Sequence, residues 1–389
     1  MIRRFRPLLA GVLSAALLLA CAAQAAAQQL FETKAGQAFM IDAETGAVLF
    51  SKDADKPIQP ASLAKLMTLE MAFEAVKTGR LSLDDAFVVS EHAWRTGGAP
   101  SRASTMFAAL KSSIRLEDLI KGIAVQAAND GCIVFAEGYA GSEANFAAQM
   151  NERARRIGLE TSTFVNATGL PASGQKTTVH ELALLALHLW RDHPEFYADF
   201  GLKDFAWNKI VQRNRNPLLA MDIGADGLAV GASEEDGFGI VGSAVQNGRR
   251  GIAAMSGLGR DRERAGEARK LIEWGLRAFE KAEIFAEGEV VGEAQVFGGA
   301  RPGVRLKAKG PVSIFVPIVN RDRLTARIVY DGPLPAPVEE GQPVGSLRVW
   351  IGDTLSQETP LYAAETVEVG TLPGRALDAL KELAVGWLR

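Results

Sequence analysis

The sequence predicts an α+β fold followed by a small all-β domain and a C-terminal amphipathic helix, on three observations. Strand-like runs stand at both ends of a helical middle, the pattern of a mixed domain whose first and last strands share one sheet. Past about Glu287 the chain turns to short apolar runs punctuated by glycine and proline. The final residues return to helical spacing. With 389 residues, 48% of them hydrophobic, the chain can bury a substantial core and more than one domain.

In chain order, Arg3, Arg4 and Arg6 precede an apolar run from Leu8 to Ala20 and small residues through Ala27, which reads as a secretory signal over residues 1–27 cleaved after Ala25 or Ala27. Leu18-Leu19-Ala20-Cys21 also fits a lipoprotein site. If Cys21 leaves with the signal, Cys132 is the one remaining cysteine and no intramolecular disulfide can form. The mixed domain, 28–285, opens with a hairpin of Ala38-Phe39-Met40-Ile41-Asp42 and Ala47-Val48-Leu49-Phe50. Helices follow from Ser62, over Leu116 to Ala140 with an irregular stretch at Asn129, over Ala144 to Ile157 and over His180 to His188. A second hairpin pairs Gly239 to Ala244 with Arg250 to Met255 across Asn247-Gly248, and a long helix runs from about Glu263 to Phe279. The β domain, 286–373, holds runs such as Val312 to Val316, Leu324 to Tyr330 and Leu347 to Ile351. The helix, 374–389, places Leu377, Leu380, Leu383, Trp387 and Leu388 on one side, and is too short to span a bilayer. It either lies on a membrane surface or docks on the β domain.

The strongest chemical signal is Ser62-Leu63-Ala64-Lys65, a hydroxyl and an amine three residues apart on one helical face. A lysine desolvated by an apolar wall can lose its proton near neutral pH and take the hydroxyl proton as the serine attacks a carbonyl. The plainer reading is an N-terminal cap beside a solvated lysine. A second copy, Ser173-Gly174-Gln175-Lys176, lies in a turn signal that would not hold the two side chains together. Downstream, Gln126-Ala127-Ala128-Asn129-Asp130 follows an apolar helix and offers an amide in Asn129, which could equally be a cap. Asp226 to Gly231 precedes a strand, as a segment lining a site would. His92, His180, His188 and His193 show no metal-ligand spacing, so no metal is expected, and Cys132 in an apolar run reads as a buried inert thiol. A net charge of -3 with both signs interspersed leaves no basic stripe, which argues against nucleic acid as a partner.

Pro60-Ala61-Ser62-Leu63-Ala64-Lys65, Gln126 to Asp130, Asn166-Ala167-Thr168-Gly169-Leu170, Asp226 to Gly231 and the β domain with its terminal helix resemble, in order and over essentially the whole mature chain, the low-molecular-mass D-alanyl-D-alanine carboxypeptidases. These are secreted penicillin-binding proteins. The resemblance implies a β-lactamase/transpeptidase-like catalytic domain, a β-rich stalk, and serine-type D-Ala-D-Ala carboxypeptidase activity without a cofactor. It further implies export to the periplasm, peptidoglycan stem peptides as substrate and β-lactams as covalent ligands. Ser62 matches the nucleophile, Lys65 its general base, Asn129 the asparagine of S-x-N and Arg264 an arginine that helps hold the substrate carboxylate. The oxyanion hole falls on the backbone amides of Ser62 and Ala232. The chain departs from the pattern at three positions. The serine of S-x-N is Ala127, and the lysine and threonine of K-T-G are Ala229 and Val230, leaving Gly231. A broken proton relay and a weaker grip on carboxylate follow, so the alternative is a paralogue that binds peptidoglycan or a cell-wall partner with little or no turnover.

Overall fold

The computed structural model describes residues 31–319 and 321–385. The signal segment with Cys21, and Trp387 and Leu388 of the terminal helix, lie outside the described residues.

The core of the first domain is an antiparallel sheet of five strands in the order β2-β1-β9-β8-β7: β1 (Gln37–Asp42), β2 (Val48–Lys52), β7 (Ala225–Ser233), β8 (Gly237–Gln246) and β9 (Arg249–Leu258). The first strand pairs with the last, Gln37 opposite Ser256, as the arrangement of strands around a helical middle predicts. Alternation decides which layer each residue joins. Phe39, Ile41, Ile252 and Ala254 enter one apolar cluster, and Ala38, Met40, Ala253 and Met255 enter the other. The sheet is buried on both faces, which explains its nearly continuous apolar runs. The turn between β8 and β9 is Asn247-Gly248 with φ of 52° and 77°, a mirror-image turn matched to the twist of a hairpin.

On one face lie α1 (Lys65–Lys77), α2 (Glu91–Thr96), α3 (Leu116–Gln126), α4 (Asn129–Ala140), α5 (Glu143–Arg156), α6 (Val179–Asp192) and α7 (Pro194–Tyr197). Two small hairpins, β3 (Ala86–Val88) with β4 (Ser113–Arg115) and β5 (Asp204–Trp207) with β6 (Ile210–Arg213), edge this layer. The other face is covered by α8 (Asp261–Arg277) through Ala268, Leu271, Ile272 and Leu276. At Gly275 a Cβ would lie 2.4 Å from Met40 Sδ, so the close approach of this helix to the sheet depends on glycine.

The β domain comprises β10 (Phe279–Phe285) paired with β13 (Val312–Pro317), and a six-stranded sheet in the order β14-β16-β17-β12-β11-β15. Its strands are β11 (Val290–Phe297), β12 (Gly303–Lys307), β14 (Leu324–Tyr330), β15 (Leu334–Pro335), β16 (Pro343–Ile351) and β17 (Thr354–Ala363). Phe315 and Ile351 reach into the cluster under α8, and Ser356 Oγ donates to the Val48 carbonyl at 2.7 Å. The last helix, α9 (Leu372–Val385), meets β11 through Asp378, whose carboxylate accepts from the Gly298 amide, and leaves Leu372 and Leu380 exposed. No helix of the described residues is long and apolar enough to cross a membrane.

Candidate active site

Ser62 sits in a 3-10 turn, Ala61–Ala64, that runs straight into α1 at Lys65. Residues three apart eclipse in a 3-10 helix, so the tight turn aligns the two side chains more closely than an α-helical start would. Lys65 Nζ donates to Ser62 Oγ at 2.9 Å and to the Thr168 carbonyl at 2.5 Å. Only 3% of Lys65 is exposed. That burial pushes the amine down from 10.5 to about 8, and the charge of Arg215 acts in the same direction. The Cys132 thiol would oppose the shift if ionised, but burial pushes it up to about 12, so it stays neutral while Lys65 titrates. The amine is therefore poised to accept the Ser62 proton as Oγ attacks.

The Thr168 carbonyl is presented by its own loop. Asn166 Oδ1 accepts from the Thr168 hydroxyl and amide and from the Gly169 amide, at 3.0, 3.2 and 2.7 Å. Gly169 has φ of 76°, and a Cβ there would sit 1.7 Å from the Ala61 carbonyl oxygen. The glycine thus lets this loop touch the turn that bears Ser62. That supporting role of Asn166 to Gly169 was visible in the sequence as a motif, not as chemistry.

Helices α3 and α4 are separated by Ala127 and Ala128, with Ala127 left-handed at φ of 54°. Asp130, fully buried, fixes the break by accepting from the Thr105 hydroxyl and from the amides of Met106, Ala108 and Gly131. Ala127 lines one small cavity together with Ser62, Lys65, Ala229 and Arg215. No hydroxyl therefore stands at 127 to pass a proton. Asn129 heads α4 with its amide on the Ser104 carbonyl; its side chain is buried, and its Oδ1 has no hydrogen-bond partner among the described residues.

Strand β7 forms the opposite wall, and the structure separates its two substituted positions. Ala229 packs on the Ser62 side, whereas Val230 is buried in the cluster under α8. A Cβ on Gly231 would meet Pro60 O at 3.1 Å and Leu63 N at 3.2 Å, so the retained glycine permits the strand to pass beside the turn that bears Ser62. Arg264 of α8 donates to the Gly231 carbonyl at 3.3 Å, pairs with Asp261 and lies over the Phe238 ring. Ser62 and Ala232 border a cavity of about 680 Å³, lined also by Thr168 to Ser173 and by Glu234 and Glu235. Ser173 is in its wall, but Lys176 forms a bridge with Thr163 instead of meeting it, so the second S-x-x-K is not a site.

Arg215 is the residue that sequence reasoning missed. Its amide bonds to the Val125 carbonyl at 3.1 Å, and its neighbours are pinned: Asn214 Nδ2 donates to the Phe200 and Leu202 carbonyls, and Asn216 Oδ1 accepts from Leu218. It brings a cation to the cavity that Ala229 also lines. The signal was Asn214-Arg215-Asn216 at a break between elements, which carries no spacing rule.

Known proteins share this fold. Residues 22–258 match the family described as D-alanyl-D-alanine carboxypeptidase, and residues 279–369 match the penicillin-binding protein 5 C-terminal domain. The D-alanyl-D-alanine carboxypeptidase DacC of Escherichia coli is 35% identical over 359 residues, 91% of this chain and 90% of that relative. Penicillin-binding protein 5 of Haemophilus influenzae superposes with a TM-score of 0.71 at 30% identity, covering 87% of this chain and 98% of that one. Penicillin-binding protein D2 of Listeria monocytogenes, solved in an ampicillin-bound form, superposes with a TM-score of 0.58 at 29% identity over 64% of this chain and all of its own. A half-buried serine against a buried lysine on this fold, with one of these relatives aligned over nine-tenths of the chain, establishes that the protein belongs to the D-alanyl-D-alanine carboxypeptidase family.

Proposed function

We propose that the chain is a serine D-Ala-D-Ala carboxypeptidase that removes the terminal D-alanine of peptidoglycan stem peptides through an acyl-enzyme at Ser62. The observation that carries this is the 2.9 Å contact between Lys65 Nζ and Ser62 Oγ, with the lysine buried. Neutral Lys65 takes the hydroxyl proton while Oγ bonds to the penultimate carbonyl carbon. The amides of Ser62 and Ala232 stabilise the oxyanion. The C–N bond then breaks, and D-alanine leaves with a proton. With alanine at 127, that proton has Lys65 as its nearest donor. Water hydrolyses the ester in the second half. Arg215, which lines the cavity beside Ser62, and Arg264, which donates to the Gly231 carbonyl, are the cations offered to the substrate carboxylate, since Ala229 supplies none.

β-Lactams acylate the same serine in this reading, supported by the ampicillin-bound relative. The start of the chain supports export to the periplasm, and exposed Leu372 and Leu380 on α9 support peripheral contact with the membrane. Mixing purified protein with a peptide ending in D-Ala-D-Ala and measuring free D-alanine tests the activity. Release that persists in Ser62→Ala would refute it.

A further inference from the structure

The four histidines show no metal-ligand spacing along the sequence, yet the fold brings two of them onto one carboxylate. Glu70 of α1, His188 of α6 and His193, in the link from α6 to α7, offer ligand atoms that all lie within 4.8 Å of one another. His188 Nε2 is 3.2 Å from Glu70 Oε1, and His193 Nε2 is 2.9 Å from Glu70 Oε2. Glu70 and His193 are fully buried, and His188 is 19% exposed.

These contacts are close in distance but lack the alignment of hydrogen bonds. Glu70 Oε2, His188 Nε2 and both ring nitrogens of His193 have no hydrogen-bond partner among the described residues. Such buried polar atoms are costly unless something satisfies them. Four-coordinate Zn²⁺, with ligands at about 2.0 to 2.2 Å, holds them roughly 3.3 Å apart, near the 2.9 Å between His193 Nε2 and Glu70 Oε2 and inside the 4.8 Å that encloses the three ligand atoms.

The surroundings fit a metal as well. His188 Nδ1 lies 2.9 Å from the Asp192 carboxylate, the outer contact that orients a ligating imidazole and leaves Nε2 free to bind. Arg153 holds Glu70 Oε1 through Nε and Nη2 at 2.8 and 2.7 Å, leaving Oε2 for a ligand, and Arg153 also reaches Glu74 at 3.1 Å. Lys77 Nζ donates to the Asp192 carbonyl. Two imidazoles with one carboxylate select a borderline cation over Mg²⁺ or Ca²⁺.

We propose that Glu70, His188 and His193 form a Zn²⁺ site that ties the helix carrying Lys65 to the end of α6. His188, 19% exposed, is the side from which solvent reaches the cluster. Glu70 lies five residues beyond Lys65, about 7.5 Å along the helix, so the ion acts on the scaffold and not on the reacting atoms.

The test uses tag-free protein stripped with a chelator and titrated with ZnCl₂ by calorimetry, with Co²⁺ as a spectroscopic probe. The expected result is one Zn²⁺ per chain, a rise in Tm that saturates at the same stoichiometry, and visible absorption of a four-coordinate Co²⁺ complex. His193→Phe, which fills the vacated space, and His188→Gln at the more exposed position should each weaken Zn²⁺ binding at least tenfold, with folding checked by circular dichroism. If His193→Phe fails to fold, His188→Gln alone decides. No Zn²⁺ uptake by the stripped protein, or uptake unchanged in the folded variants, overturns the site. Proton uptake at these histidines without metal binding would make the cluster a buried ion pair and overturn it equally.

Discussion

The rate at which Ser62 is acylated should follow the protonation of Lys65. Burial and the Arg215 charge bring the amine to about 8, so roughly 1% is neutral at pH 6, about 10% at pH 7 and half at pH 8. Acylation by an excess of fluorescent penicillin, read as the second-order rate from stopped samples, should therefore rise about 50-fold from pH 6 to pH 8 and level off above roughly pH 9. Arg215→Ala removes one of the two influences that lower the amine, so its profile should move to higher pH. The same shift acts on stability. Because the folded pKa lies below the unfolded one, the unfolded chain holds more protons between about 8 and 10.5, and stability rises with pH through that window. Below it the cost of the buried charge is fully present, about 3 kcal/mol at most for a shift from 10.5 to about 8. Lys65→Met should abolish acylation while raising Tm at pH 7. A pH-independent acylation rate, or a midpoint near the ordinary lysine value, would refute the assignment of Lys65 as base.

Other consequences can be checked separately. Ala127→Ser with Ala229→Lys should raise D-alanine release at least tenfold over either single change, since both positions line the cavity beside Ser62; adding Val230→Thr should contribute little and lower Tm, because Val230 is buried under α8. Gly169→Ala should cost about 2 kcal/mol or more in urea unfolding and slow acylation, as its Cβ would displace the loop that offers the Thr168 carbonyl. Deleting residues 372–389 should move the protein from the membrane fraction to the soluble one with Tm unchanged. A full-length chain that already fractionates as soluble would make α9 a docking element only.

The layers of the fold were legible because their signals are local. Nearly continuous apolar runs gave β1, β8 and β9, Asn247-Gly248 gave the turn between β8 and β9, and the break in the long helical stretch at Asn129 proved to be the gap between α3 and α4. Strands such as β10 to β12 and β17 were hidden, since their exposed faces carry charged residues that blur the alternation. Ser62 and Lys65 could be found because three residues suffice to bring them together. The Thr168 carbonyl and Arg215 lie 103 and 150 residues beyond Lys65, and only the tertiary structure brings them to the site. Val230 shows the converse limit. The motif comparison grouped it with Ala229, but neighbouring residues of a strand face opposite sides. His188 and His193 were read as scattered for the same reason as Arg215: their shared partner, Glu70, is on another helix.

The most direct measurement is peptide mapping of the protein after reaction with a β-lactam, alongside intact mass of the unmodified chain and of Ser62→Ala. The account predicts one acyl group per chain, carried by the peptide that contains Ser62 and absent from the variant. An acyl group on Ser173, or equal labelling of Ser62→Ala, would contradict it.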